Sequence, residues 1–349
     1  MTSSGFLKKF ILELLIVLAV IAGVVIFFDP FYHYHKPVLG MKQILNDKEY
    51  QCIGSLRNFD YDALLVGSSV AENFNNRWFE EEYNCTLEKA IRASGTTADL
   101  TYYVNEVYQN HDLKHIFYNV DTSALYASPK TTFRTSGQPM YLYDHNPLTD
   151  IRYWWNKDVL LKKIPYQLVY SYVADYDEGE SYNWAKWKSF GVDQVKRAYT
   201  PSETIEEMRK SDSDLELLTA NLEMLTALVE NHLETEFTFY FPPYSLVWWD
   251  EAYRTGNLER NLYGQEQTIK ALLSFPNVKV YYFCDDADTI LNLDNYMDTL
   301  HFSEEITYQI FEDLGNPEYE LTLDNLDDHM ENMREIVDQI EQEEISKYY

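Results

Sequence analysis

Five short apolar runs, separated by stretches with helical rhythm, constrain this chain more than any other feature. They are residues 61–66 (YDALLV), 87–93 (LEKAIRA), 115–120 (HIFYNV), 237–241 (FTFYF) and 278–283 (VKVYYF). Runs of this length without strict alternation are the mark of strands buried on both faces. Between them, residues 97–109 and 256–274 read as helices, with Thr96 or Thr97 as a cap for the first. Leu215, Leu218, Leu222, Leu225 and Val229 recur in steps of three and four, which predicts an amphipathic helix from about Ser213. Leu323, Leu326, Met330, Met333, Val337 and Ile340 repeat that rhythm near the C-terminus, as a docking face on the domain or a dimer seam. Strands alternating with helices imply a parallel sheet covered on both faces. The expected fold is α/β, a three-layer α/β/α sandwich on a five-stranded, flavodoxin-like parallel sheet.

A second constraint precedes the first strand. Residues 10–28 (FILELLIVLAVIAGVVIFF) carry one charge, Glu13, and match the ~20 apolar residues a helix needs to cross a bilayer. Lys8 and Lys9 stand before the run and Asp29-Pro30 after it. The positive-inside rule then places residues 1–9 in the cytoplasm and everything after the anchor outside. A cleaved signal peptide has a shorter apolar core and a small-residue cleavage site, which Phe27-Phe28-Asp29-Pro30 does not resemble. Residues 29–58 read as an irregular linker packing on the domain, and 59–349 as the domain itself. Within it, about 126–200 lacks periodicity and carries Trp154, Trp155, Trp184 and Trp187, an aromatic-rich insertion at the strand ends.

Composition removes several classes. With 28 Lys and Arg against 57 Asp and Glu, the net charge of −29 repels a polyanion and excludes a nucleic-acid partner. Cys52, Cys85 and Cys284 show no metal-ligand spacing, so no zinc site, other metal or cofactor is expected. In an exported protein Cys52 and Cys85 could pair; three free thiols is the other reading.

In open parallel sheets the reactive edge lies at the carboxyl ends of the strands. Gly67-Ser68-Ser69 follows the first run directly, and a glycine there permits the sharp turn that exposes a nucleophilic hydroxyl. Two histidines have an aspartate three residues earlier, His115 (Asp112) and His301 (Asp298). Asp112 and His115 precede the third strand, at the opposite edge from Ser69. Asp298 and His301 follow the last strand, at the same edge, so this pair can converge on the serine as base and orienting acid. Gly95, after the second strand, and Asn119, at the end of the third, fall on the same edge as candidate oxyanion donors with the Ser69 amide. Asp121 could cap a following helix or orient the site.

These positions, in this order, resemble the SGNH (GDSL-like) hydrolase superfamily. They are Val66-Gly67-Ser68-Ser69, Ala93-Ser94-Gly95, Asn119 and Asp298-Thr299-Leu300-His301-Phe302. Gly-Ser-Ser in place of Gly-Asp-Ser is similar to the anchored Gram-positive type that includes the teichoic-acid D-alanyl transfer proteins. Phe59-Asp60-Tyr61-Asp62, Glu72-Asn73-Phe74, Phe241-Pro242-Pro243-Tyr244-Ser245 and Asn295-Tyr296-Met297-Asp298 also look like anchored proteins of this kind. The third block reads Tyr118-Asn119-Val120-Asp121 where the family has Gly-x-Asn-Asp. The resemblance implies an extracytoplasmic, membrane-anchored serine esterase or O-acyltransferase. Its partners would be an acylated carbohydrate or teichoic-acid-like polymer, the membrane, and a membrane-bound O-acyltransferase. A catalytically inactive homologue that binds or assembles surface polymers is the other reading, favoured by the altered third block.

Overall fold

The computed structural model describes residues 3–208 and 211–349; Met1 and Thr2 of the expected cytoplasmic segment lie outside the described residues. Five strands form one sheet: β1 (Ala63–Gly67), β2 (Leu87–Ile91), β3 (His115–Asn119), β4 (Glu236–Phe241) and β5 (Val278–Tyr282). All four pairings are parallel, in the order β2-β1-β3-β4-β5. Every residue of β1, β2 and β3 is buried, as two-sided coverage of a parallel sheet requires. The chain leaves β1 towards β2 on one side and returns to β3 on the other. The carboxyl ends of β1 and β3 therefore flank the switch point, where an open sheet leaves a crevice.

The chain divides into two compact units, Met1–Asp60 with Phe133–Ser181, and Tyr61–Thr132 with Tyr182–Tyr349. The sheet belongs wholly to the second. There the expected helices occupy Thr97–Val107, Asp212–Glu230, Leu258–Leu272 and Leu326–Gln339. Thr96 caps the first through a reciprocal capping box with Asp99. Further helices were not expected, and the longest of them are Asn76–Tyr83, Leu246–Arg254 and Glu304–Asp313. Each spans ten residues or fewer, too short for a three-four rhythm to stand out.

In the first unit, the Ser3–Phe28 helix contains a 25-residue stretch, Ser4–Phe28, long and apolar enough to cross a membrane. It stops at Asp29, whose buried carboxylate accepts the amides of His33, Tyr34 and His35 and the Tyr153 hydroxyl. The segment read as an irregular linker contains a helix, Lys48–Asn58. Gln51 to Leu56 are all buried, polar Gln51 and Ser55 among them, so the buried residues form no apolar stripe that periodicity could reveal. Gly54 is required there, because a Cβ would lie 2.2 Å from the Phe31 carbonyl oxygen. Cys52, Cys85 and Cys284 are all free thiols.

The C-terminal stripe is a docking face in this chain. Leu326, Met330, Met333, Val337 and Ile340 are buried, and their helix packs on Leu246–Arg254 and Leu258–Leu272. Leu323, counted with the stripe from sequence, precedes the helix and is exposed. Two titrating groups hold this tail. His329 Nδ1 lies 2.8 Å from Asp285 Oδ2, and that bond raises its pKa above 6.5. Burial, reinforced by Asp250, raises that of Glu341. A pKa raised on folding contributes stability that is complete below the ordinary value and lost as pH rises through the folded value. The melting temperature should accordingly fall as pH climbs from below ~6.5 into the alkaline range. His329→Gln should remove about 1.5 kcal/mol of the acid-side stability, the lower end for a charged hydrogen bond, and flatten the profile. Calorimetry of the two proteins across that range checks this; parallel profiles would refute it.

Candidate active site

The turn after β1 sets the position of Ser69. Gly67 ends the strand and Ser69 begins a single 3₁₀ turn, Ser69–Ala71. As the first residue of that turn, Ser69 has an amide without an intrahelical acceptor. A Cβ on Gly67 would lie 2.6 Å from the Ala71 Cβ and 2.9 Å from the Asn119 Cβ, so only glycine allows this approach. Gly67→Ala is expected to cost about 2 kcal/mol through overpacking and to displace Ser69. Chemical denaturation measures the first effect. A variant as stable as the parent would overturn it.

The turn is braced from two sides. Lys89, fully buried in β2, donates from Nζ to the carbonyls of Glu72 (2.9 Å) and Phe74 (2.5 Å). Asn73 Oδ1 accepts the amides of Trp184 and Ala185, both at 3.1 Å, and Trp184 returns an indole N–H to the Ser69 carbonyl at 3.1 Å. The Glu-Asn-Phe motif thus fastens part of the expected insertion to the Ser69 turn.

Asp298 and His301 lie on a loop closed by the antiparallel bridge Tyr296–Phe302 and by the Met297 amide donating to the His301 carbonyl. Asp298 Oδ1 accepts the amides of Leu300 (3.0 Å) and His301 (2.9 Å), which draws the three-residue spacing into a tight turn. The Pro-Pro-Tyr-Ser segment after β4 supports the loop. Ser245 Oγ donates to the Thr299 carbonyl at 2.6 Å, and the Tyr296 hydroxyl to the Pro243 carbonyl at 2.8 Å.

This architecture brings Ser69 Oγ to 2.8 Å from His301 Nε2, and His301 Nδ1 to 2.7 Å from Asp298 Oδ2. An ionised carboxylate only accepts, so Nδ1 carries the proton and Nε2 presents its lone pair to the serine hydroxyl. Burial raises the Asp298 pKa, but the His301 hydrogen bond and charge and the two backbone amides outweigh it and hold the carboxyl below its usual range. The Trp184 ring stands at 89° to the imidazole with centroids 5.2 Å apart.

Asn119 is buried beside Gly67, and neither its Oδ1 nor its Nδ2 has a partner among the described residues. Such an amide is costly, about 1–3 kcal/mol, unless a ligand or water completes it. Gly95 also lies at this edge, but its amide donates to the Arg92 carbonyl at 2.9 Å, closing a turn. Asp121 makes no capping bond; its buried carboxyl takes the Tyr244 hydroxyl and bonds with Ser68, and burial pushes its pKa up. It therefore links β3 to the turn after β1 and to the segment after β4. His115 bonds Thr238 Oγ1 at 2.8 Å at the other edge of the sheet and takes no part.

Sequence reasoning missed Trp184 and Lys89 as site-positioning residues. Trp184 is one aromatic among many in the insertion, and Lys89 lies within the run 87–93 without belonging to any motif. A lysine in the middle of a strand expected to be buried on both faces was the available signal, since such a cation must find acceptors.

No known family model matches this chain, and no curated protein is significantly similar to it.

Proposed function

We propose that this protein is a serine esterase or O-acyltransferase of the SGNH type, anchored in the membrane by its N-terminal helix with the domain outside. The reading rests on one observation, the continuous Ser69–His301–Asp298 hydrogen-bonded relay. Three residues from two separate loops meet in the order and tautomer that acyl transfer needs. In the proposed reaction His301 Nε2 takes the Ser69 proton as Oγ attacks an ester carbonyl, and returns it to the leaving alcohol. The resulting acyl-enzyme passes its acyl group to water in an esterase or to a carbohydrate or polyol hydroxyl in a transferase. The Ser69 amide and the unpartnered Asn119 Nδ2 are the proposed oxyanion donors. The parallel sheet order, with helices read as layers on both faces, agrees with the three-layer sandwich of that superfamily. The outward location favours an acylated surface polysaccharide or teichoic acid as substrate.

One observation favours the second reading, a binding or assembly factor that has lost catalysis. The Gly95 amide is already donated to Arg92, so one expected oxyanion donor is spent. A fluorophosphonate probe separates the two when applied to the full chain in detergent, with folding checked by circular dichroism. The catalytic reading expects labelling that disappears in Ser69→Ala. Absence of Ser69-dependent labelling in the folded protein would leave the binding reading.

A further inference from the structure

The first unit contains a feature that a simple tether does not need. The Ile151–Trp154 helix and the Val159–Lys163 turn both pack against the Ser3–Phe28 helix. The Trp155 indole N–H donates to the Leu18 carbonyl at 3.0 Å. Leu18 lies ten residues before Phe28, so this contact falls about 15 Å from the helix's C-terminal end. The part of the apolar helix before Leu18 spans about 22 Å, too short for a hydrocarbon core of ~30 Å. If the helix crosses the bilayer, the segment packed on its second half enters the bilayer with it.

The exposed side chains of that segment suit such a place. Val159, Ile164 and Gln167 point inward and are buried. On the outer side Leu161 (69 % exposed), Val169 and Val173 (84 %) recur in multiples of four, while Ile151 and Trp155 extend the apolar surface. Residues 151–174 also hold four cations, Arg152, Lys157, Lys162 and Lys163, and one acid, Asp158, in a chain of net charge −29. Arg152, Lys157 and Lys162 are exposed. The backbone is helical over 151–154 and 157–172, broken at 155–156, so most of its polar groups are satisfied within the segment, as a lipid environment demands. An apolar face with a Trp, flanked by Lys and Arg, is the composition of a helix lying in a membrane interface.

We propose that residues 151–173 form a second membrane element, inserted in the leaflet at the C-terminal end of the N-terminal helix. Ile151, Trp155, Leu161, Val169 and Val173 lie among acyl chains, and Arg152, Lys157 and Lys162 contact anionic headgroups. The acidic remainder of the chain is repelled by the same headgroups, so the cations of this segment fix where the protein meets the lipid.

Spin labels on the full chain in liposomes test this. Leu161→Cys, Val169→Cys and Val173→Cys are made singly in a Cys85→Ser background, since Cys52 and Cys284 are buried. The exposed positions Val20, on the apolar helix, and Trp187, in the sheet-bearing unit, carry the reference labels. The three labels should be reached by oxygen and shielded from an aqueous nickel chelate to the extent seen at Val20. Chelate access equal to that at Trp187 would overturn the proposal. Shielding from both reagents would also overturn it, because a second copy of the chain rather than lipid would then cover the face. Adding phosphatidylglycerol to phosphatidylcholine vesicles should deepen the labels, and joint replacement of Arg152, Lys157 and Lys162 by Gln should abolish that shift. A shift that persists in the triple variant would refute the headgroup assignment.

Discussion

Replacing Ser69 by alanine is expected to lower kcat/KM towards an activated ester by about 10⁶-fold, the scale on which a triad loses its nucleophile. The substitution removes one oxygen whose partner is His301 Nε2 and leaves the 3₁₀ turn, the Lys89 clamp and the Asn73 bonds intact. Stability should therefore change by less than about 1 kcal/mol, the usual worth of a single hydrogen bond. His301→Ala should cost nearly as much activity, and the double variant no more than either alone, because neither group works without the other. Kinetics of the three variants test the claim together. Losses that add on a logarithmic scale would mean that the serine and histidine do not act as one unit.

Asp298→Asn is expected to reduce kcat by about 10⁴-fold with little structural change. The asparagine Oδ1 can still accept the amides of Leu300 and His301 that shape the loop. Its amide nitrogen would donate towards His301 Nδ1, however, and so favour the tautomer with the proton on Nε2. That tautomer cannot accept the proton of Ser69. The ordinary carboxyl is lowered on folding, so its stabilising contribution is present above the usual carboxylate value and is lost only as pH falls through the depressed one. Asp298 is consequently ionised at neutral pH. An Asp298→Asn enzyme retaining more than a tenth of the parental kcat would show that the carboxylate does not set the tautomer.

Much of the framework was legible because its signals are local. The five strands needed only short apolar runs, and the termini of each shifted by two residues at most. Placing residues at one sheet edge singled out Ser69, Asp298 and His301, and the structure brings the three within hydrogen-bond distance because parallel strands all point the same way. His115 was set aside on the same ground, and its ring is occupied by Thr238 at the far edge. What escaped depended on tertiary context. The Lys48–Asn58 helix buries polar Gln51 and Ser55 beside Cys52, Ile53 and Leu56, so it lacks the apolar stripe that betrays a helix. Trp184 reaches Ser69 across 115 positions through a loop with no repeating pattern. The spent Gly95 amide could not be foreseen either, since whether a turn N–H is free depends on dihedral angles that composition does not encode.

The distance between Ser69 and His301 along the chain has a consequence for synthesis. Ser69 and His301 are 232 positions apart, with β2 to β5 between them. A ribosome adding ~5–20 residues per second takes roughly 10–50 s to travel from one to the other. During that interval the growing chain carries Ser69 without its hydrogen-bond partner His301. The Asp298 loop, moreover, is braced by the segment after β4 and is made after β5, so the relay closes only when the sheet is complete. Under the proposed function, a chain that ends before residue 298 lacks both His301 and Asp298 and is expected to be inactive.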